Sequence, residues 1–81
     1  MNKCTLNKLN AGECGNVYSL TAKGPIRRRF QDIGLIEGAQ VECICKSPMG
    51  DPAAYCIRGA IIAIRNDDSK DILITRLSNN H

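Results

Sequence analysis

The segment from Lys23 to Val41, KGPIRRRFQDIGLIEGAQV, constrains this chain more than any other, because it writes a whole helix with its start and stop. Gly24 can cap, and Pro25 suits the first helical position, where a missing N–H costs nothing. Ile26, Phe30 and Ile33 recur at i, i+4 and i+7 and so share one face. Gly34 stands where a left-handed C-terminal cap is wanted. Glu37-Gly38 then turns the chain into a strand. The remainder reads as short strands, and one short helix among strands admits few folds.

Eighty-one residues make one domain, expected over 1–77 with a fraying tail at 78–81. At this size only about 60–65% of the unfolded chain's surface can be buried. Large catalytic clefts need more scaffold, and the sequence shows no phosphate-binding glycine loop. It also shows no Ser/His/Asp or Cys/His set, since the one histidine is terminal. An enzyme is not expected. Three aromatics, Tyr18, Phe30 and Tyr55, with no Trp, leave no stacking platform for single-stranded nucleic acid. The net charge of +3 is spread along the chain except at Arg27, Arg28 and Arg29, which also argues against a nucleic-acid partner. No apolar stretch approaches the ~20 residues of a membrane span, and no signal peptide follows Met1. A cytoplasmic protein with reduced thiols is expected, without membrane insertion.

The expected elements run in order. Thr5 to Leu9 opens the chain, and a strand spans Glu13 to Leu20, with a bulge or close approach at Gly15. The helix covers Pro25 to Ile33. A strand from Gln40 to Lys46 places Val41, Cys43 and Cys45 on one face; Ile44 breaks that alternation, as if both faces were covered. The turn formers Ser47-Pro48-Met49-Gly50-Asp51-Pro52 mark a hairpin loop. Strands follow at Ala53–Arg58 and Ile61–Arg65, with a bend at Gly59-Ala60. A polar turn at 66–70, capped by Asn66 or Asp67, leads to a final strand from Asp71 to Leu77. Five or six short strands with one helix between the second and third imply a small, partly open all-β barrel, usually a binding module.

In this order and spacing the segments resemble the FeoA family, small SH3-like barrels associated with bacterial ferrous-iron uptake. The resemblance rests on Leu6 to Gly12, on Arg28-Arg29-Phe30-Gln31-Asp32-Ile33-Gly34-Leu35, and on Ile36 to Val41. It also rests on the Ser47 to Pro52 loop and on Ile57-Arg58-Gly59. The chain departs from the family at Ile33, where leucine or methionine is commoner, and at Glu37, where proline is frequent. Its five cysteines are not part of the pattern. The resemblance implies a non-catalytic accessory protein acting at the cytoplasmic side of the FeoB transporter, which carries a GTP-binding domain and a permease. A similar barrel ends repressors of the diphtheria-toxin-repressor type; no winged-helix domain precedes it here, which favours a free-standing module.

Within that frame Arg27, Arg28, Met49 and Asp51 are the candidate partner-binding residues. Arg27 and Arg28 should point away from the helix's apolar stripe while Arg29 flanks it. They form a solvated basic face, with Arg28 and Asp32 paired at i, i+4, unless an acidic partner surface or a GTPase phosphate claims them. Met49, braced by prolines, is either a low-entropy anchor for a partner or a side chain folded back over the barrel's open end. No complete metal site is expected and no cofactor is required. Cys43 and Cys45 at i, i+2 could touch one ion with Cys56 a strand away, and Cys4, Cys14 or His81 conceivable beyond it, but buried structural thiols are the simpler account. Asp67, Asp68 and Asp71 lack the spacing of a calcium loop. The rival function is a transition-metal-binding regulatory or sensor module, and an exposed sheet edge could also pair in a homodimer.

Overall fold

The computed structural model describes residues 2–77; the tail expected at 78–81 lies outside the described residues. Six strands are present: β1 (Asn2–Thr5), β2 (Cys14–Leu20), β3 (Gln40–Lys46), β4 (Ala53–Ile57), β5 (Ala60–Ile64) and β6 (Ile72–Arg76). Helix α1 (Pro25–Asp32) lies between β2 and β3, and a single turn, α2 (Asn66–Ser69), lies between β5 and β6. All pairings are antiparallel, in the order β1-β6-β2-β3-β4-β5, so the sheet curls without closing and β1 and β5 are its edges. The partly open all-β architecture expected from the sequence is the one observed. The opening stretch differs: β1 precedes a 3-10 turn at Leu6–Lys8, which carries Leu6 and then Leu9 into the core.

The inward faces follow strand alternation. Val17, Val41, Cys43, Tyr55, Ile57, Ile72 and Ile74 are buried, with Leu6, Leu9, Phe30 and Leu35 closing the ends. Gly15 is a close approach, as expected. A Cβ there would stand 2.8 Å from Ile74 Cδ1 and 3.1 Å from the Thr75 carbonyl oxygen. The irregularity in β2 comes later, where the register against β6 shifts between Val17 and Ser19.

α1 ends in a Schellman motif. The Gly34 N–H donates to the Gln31 carbonyl at 3.1 Å and the Leu35 N–H to the Phe30 carbonyl at 2.9 Å. Buried Phe30 and Leu35 supply the apolar contact that accompanies this cap. Between β4 and β5 the chain reverses through two residues, Arg58 at φ 53° and Gly59 at φ 87°, with Ile57 opposite Ala60. Two positive φ values identify a type I′ hairpin turn, whose twist matches that of the strands it joins. The bend expected at Gly59-Ala60 therefore lies one residue earlier.

Candidate partner-binding surface

α1 stands off the sheet at the β5 edge. Of its apolar stripe, Phe30 is buried, Ile33 is half-buried and Ile26 is 38% exposed. Ile26, Arg29, Phe30 and Ile33 face Ile62, Ala63, Ile64 and Asp68 across a cleft of about 120 Å³. The stripe predicted as core is thus core only at its centre.

The three arginines diverge. Arg27 does not project freely: its Nη1 donates to the Leu20 carbonyl oxygen at 2.8 Å, tying α1 to the end of β2. The i, i+7 relation across the β2–α1 connection explains this, because the guanidinium reaches back over the preceding loop. Arg28 is exposed, and no ion pair joins it to Asp32 among the described residues. Arg28 is therefore the untethered cation of the pair expected to face a partner.

The 47–52 loop is closed by two hydrogen bonds. The Ser47 N–H donates to the Pro52 carbonyl at 3.1 Å, and the Gly50 N–H donates to the Ser47 carbonyl at 2.7 Å. Met49 is 91% exposed at the tip, so it does not fold back over the barrel end. Asp51 has structural work: its Oδ1 accepts the Asn66 N–H at 2.9 Å and so caps α2 from another loop. The cap expected from Asn66 or Asp67 is not made; Arg65 holds the N-cap position without a side-chain hydrogen bond. Asp51→Ala should lower stability by about 1 kcal/mol while Asp51→Asn, still an acceptor, keeps most of it. Urea unfolding of the two variants measures the difference.

β3 corrects the cysteine reading. Its register against β4 shifts between Cys43, opposite Tyr55, and Cys45, opposite Ala54, leaving Ile44 as the extra residue of a bulge. Residues opposite one another across a ladder share a face. Cys43 therefore points into the core with Tyr55, fully buried, while Cys45 lies outside with Ala54 and is exposed. Ile44 is exposed too, so β3 is not covered on both sides there. Cys56 is half-buried on the outer face, opposite Glu42. Cys43 and Cys45 cannot jointly hold an ion from one face. Among the described residues no group of three or more His, Cys, Asp or Glu side chains is arranged around a common metal position, and His81 lies outside them. Burial raises the Cys43 thiol's pKa, with Cys45 and nearby carboxylates adding to the rise against the opposing pull of Lys46; this holds it as a neutral packing group.

Two structural roles escaped the sequence, the Arg27 bond to Leu20 and the Asp51 cap, because neither leaves a local pattern. The loop and α1 both approach α2: Asp51 caps it, and Ile26 and Arg29 share a cleft with its Asp68. No helix among the described residues is long and apolar enough to cross a membrane.

Comparison with known proteins agrees with this geometry. A Fe(2+) transport protein A/Fe(2+) transporter FeoB fusion protein of Porphyromonas gingivalis is 24% identical over 75 residues, 93% of this chain. The chain spans 9% of the length of that relative. The solution structure of a FeoA-like protein from Clostridium acetobutylicum superposes with a TM-score of 0.89 at 30% identity, covering 100% of this chain and 94% of that one. Stenotrophomonas maltophilia FeoA complexed with zinc, described as a procaryotic SH3 domain protein, gives a TM-score of 0.77 at 26% identity, covering 86% and 87%. The FeoA domain model matches residues 4–76, from β1 to the end of β6, and with nearly the whole barrel accounted for, this chain belongs to the FeoA domain family.

Proposed function

We propose that this chain is a non-catalytic accessory protein of ferrous-iron uptake, working in the cytoplasm by docking onto a FeoB-type transporter. The observation that carries this reading is the Porphyromonas gingivalis fusion protein, in which the matching module and a FeoB transporter share one polypeptide. Fusion through a linker holds two partners at an effective concentration on the order of millimolar. A module acting in trans has to replace that advantage with a surface of its own.

The 47–52 loop and α1 are the two segments that this reading assigns to that surface. Met49 offers an apolar anchor on a loop already closed by hydrogen bonds, so little conformational entropy is lost when it is buried. Arg28 offers an exposed cation on α1 that joins no ion pair among the described residues. Arg27 and Asp51 hold these two segments in place, through their bonds to Leu20 and Asn66.

The test is capture of the reduced, metal-free protein by detergent-solubilised FeoB-type transporter, with and without ferrous iron. Iron-independent capture is expected. Met49→Ala combined with Arg28→Glu should weaken it about tenfold or more, the size of effect that anchor residues carry. Because both side chains are exposed, the melting temperature should not move. Capture by this double variant at full strength would exclude the surface, and no capture of the parent protein would exclude the partner.

A further inference from the structure

β5 is an apolar edge that pairs with no strand on its outer side and is flanked by α1 across a cleft. Its sequence, Ala60-Ile61-Ile62-Ala63-Ile64, carries no charge and no proline. It pairs on one side with β4, and none of the backbone hydrogen bonds among the described residues reaches its other side. Ile61 is 66% exposed. Natural sheet edges usually carry a lysine, a proline, a bulge or a covering loop to discourage pairing. The opposite edge, β1, has such a device in Lys3, whose Nζ lies 4.1 Å from the centre of the Tyr18 ring.

Charges frame β5 at both ends. Near Ile64, the cleft between α1 and β5 is lined by Arg29 and Asp68. Near Ala60, a second depression brings together Asp32 at the end of α1 and Arg58 of the hairpin turn. Each end therefore offers one cation and one anion, with α1 contributing Arg29 to the first and Asp32 to the second.

We propose that β5 is a homodimer interface, pairing antiparallel with β5 of a second copy about a two-fold axis at Ile62. In that register Ile61 lies against the partner's Ala63 and Ala60 against the partner's Ile64, so each large side chain meets a small one. Ile62, half-buried on the face toward α1, meets its own counterpart on the axis. Antiparallel order also brings the Ile64 end to the partner's Ala60 end. Arg29 then faces the partner's Asp32, and Asp68 faces the partner's Arg58. A parallel approach would set Arg29 against the partner's Arg29. Matching of both size and charge under one two-fold operation is what selects a second copy over an unrelated strand. The contact is small and is expected to be weak and concentration-dependent. It uses neither Arg28 nor Met49, and so stands or falls separately from the transporter reading.

Sedimentation equilibrium of the whole chain in reducing buffer, from micromolar to millimolar protein, tests it. The mass should rise with concentration toward that of a dimer. Ile61→Lys, at an exposed position, should remain monomeric while its dilute thermal melt matches the parent's. Arg29→Glu should weaken association about tenfold, and Arg29→Glu/Asp32→Arg should restore it, since the swapped pair again meets opposite charges across the axis. A parent protein that stays monomeric throughout overturns the proposal. So does an Ile61→Lys variant that dimerises as well as the parent, or a charge swap without recovery. Protection of the β5 amides from hydrogen exchange only when transporter is added would assign the edge to that partner and overturn it equally.

Discussion

Replacing Tyr55 by alanine is expected to cost about 3–5 kcal/mol, enough to leave much of a domain this small unfolded, whereas phenylalanine at the same place should cost almost nothing. The ring is fully buried at the centre of β4, opposite Cys43 on one side and Ile62 on the other. Truncation would remove the largest fully buried side chain from a core built from aliphatic residues and leave a cavity that rigid strands cannot fill. The hydroxyl contributes differently. The Ser69 hydroxyl lies near it and donates to the Asn66 carbonyl at 3.3 Å, and the phenol oxygen completes no hydrogen bond among the described residues. A buried polar group without a partner is a cost, so Tyr55→Phe should match or slightly exceed the parent's stability at neutral pH.

The same phenol sets an alkaline limit. Burial pushes its pKa up to about 12, and neighbouring Cys43 adds to the rise. In the unfolded chain it ionises near 10, the ordinary tyrosine value. Between these values the folded state holds the proton and the unfolded state releases it. Stability therefore falls as pH rises through that window, by roughly 2–3 kcal/mol for this group. Chemical unfolding at a series of pH values should show a shallower alkaline decline in Tyr55→Phe than in the parent, with the two curves running parallel below pH ~9. Parallel declines in both proteins would show that the phenol is not what titrates.

The second large effect belongs to Gly34. Its φ of 102° lies where side chains are strained, and a Cβ would stand 2.7 Å from Arg58 Cδ and 3.4 Å from Ile57 Cγ2. The strain alone is about 1–2 kcal/mol for an L residue, and the contact adds to it. Gly34→Ala should therefore destabilise by about 2 kcal/mol or more. A thermal melt would register this as a drop of many degrees in so short a chain. Gly50→Ala separates the two causes, since Gly50 has a similar φ of 84° but open space around it. It should show the strain without the clash.

The helix and its limits were legible because they are written in adjacent residues. Pro25 opens α1, and Gly34 permits the two hydrogen bonds that end it. β3 was legible in extent for a similar reason, but its faces were not. Alternation assigns Cys45 to the core with Val41 and Cys43, and the bulge at Ile44 reverses that assignment. A bulge is a property of pairing between two strands, so no periodicity within one of them reports it. The candidate surface divides in the same way. The exposure of Met49 follows from a turn-rich loop, and only the packing shows that it does not fold back over the barrel end.

Helix position, the hairpin loop and membership of a small open-barrel class came from the sequence alone, since each depends on interactions spanning a few residues. Tertiary structure decided which arginine is tied down, which aspartate caps a distant turn, which thiol is buried and which edge is left unpaired. Arg27 reaches Leu20, Asp51 reaches Asn66, and β5 ends the sheet because the chain returns through β6 to pair with β1 and β2. These outcomes depend on which segments become neighbours, and that is settled by burying one shared core rather than by the preference of any single stretch.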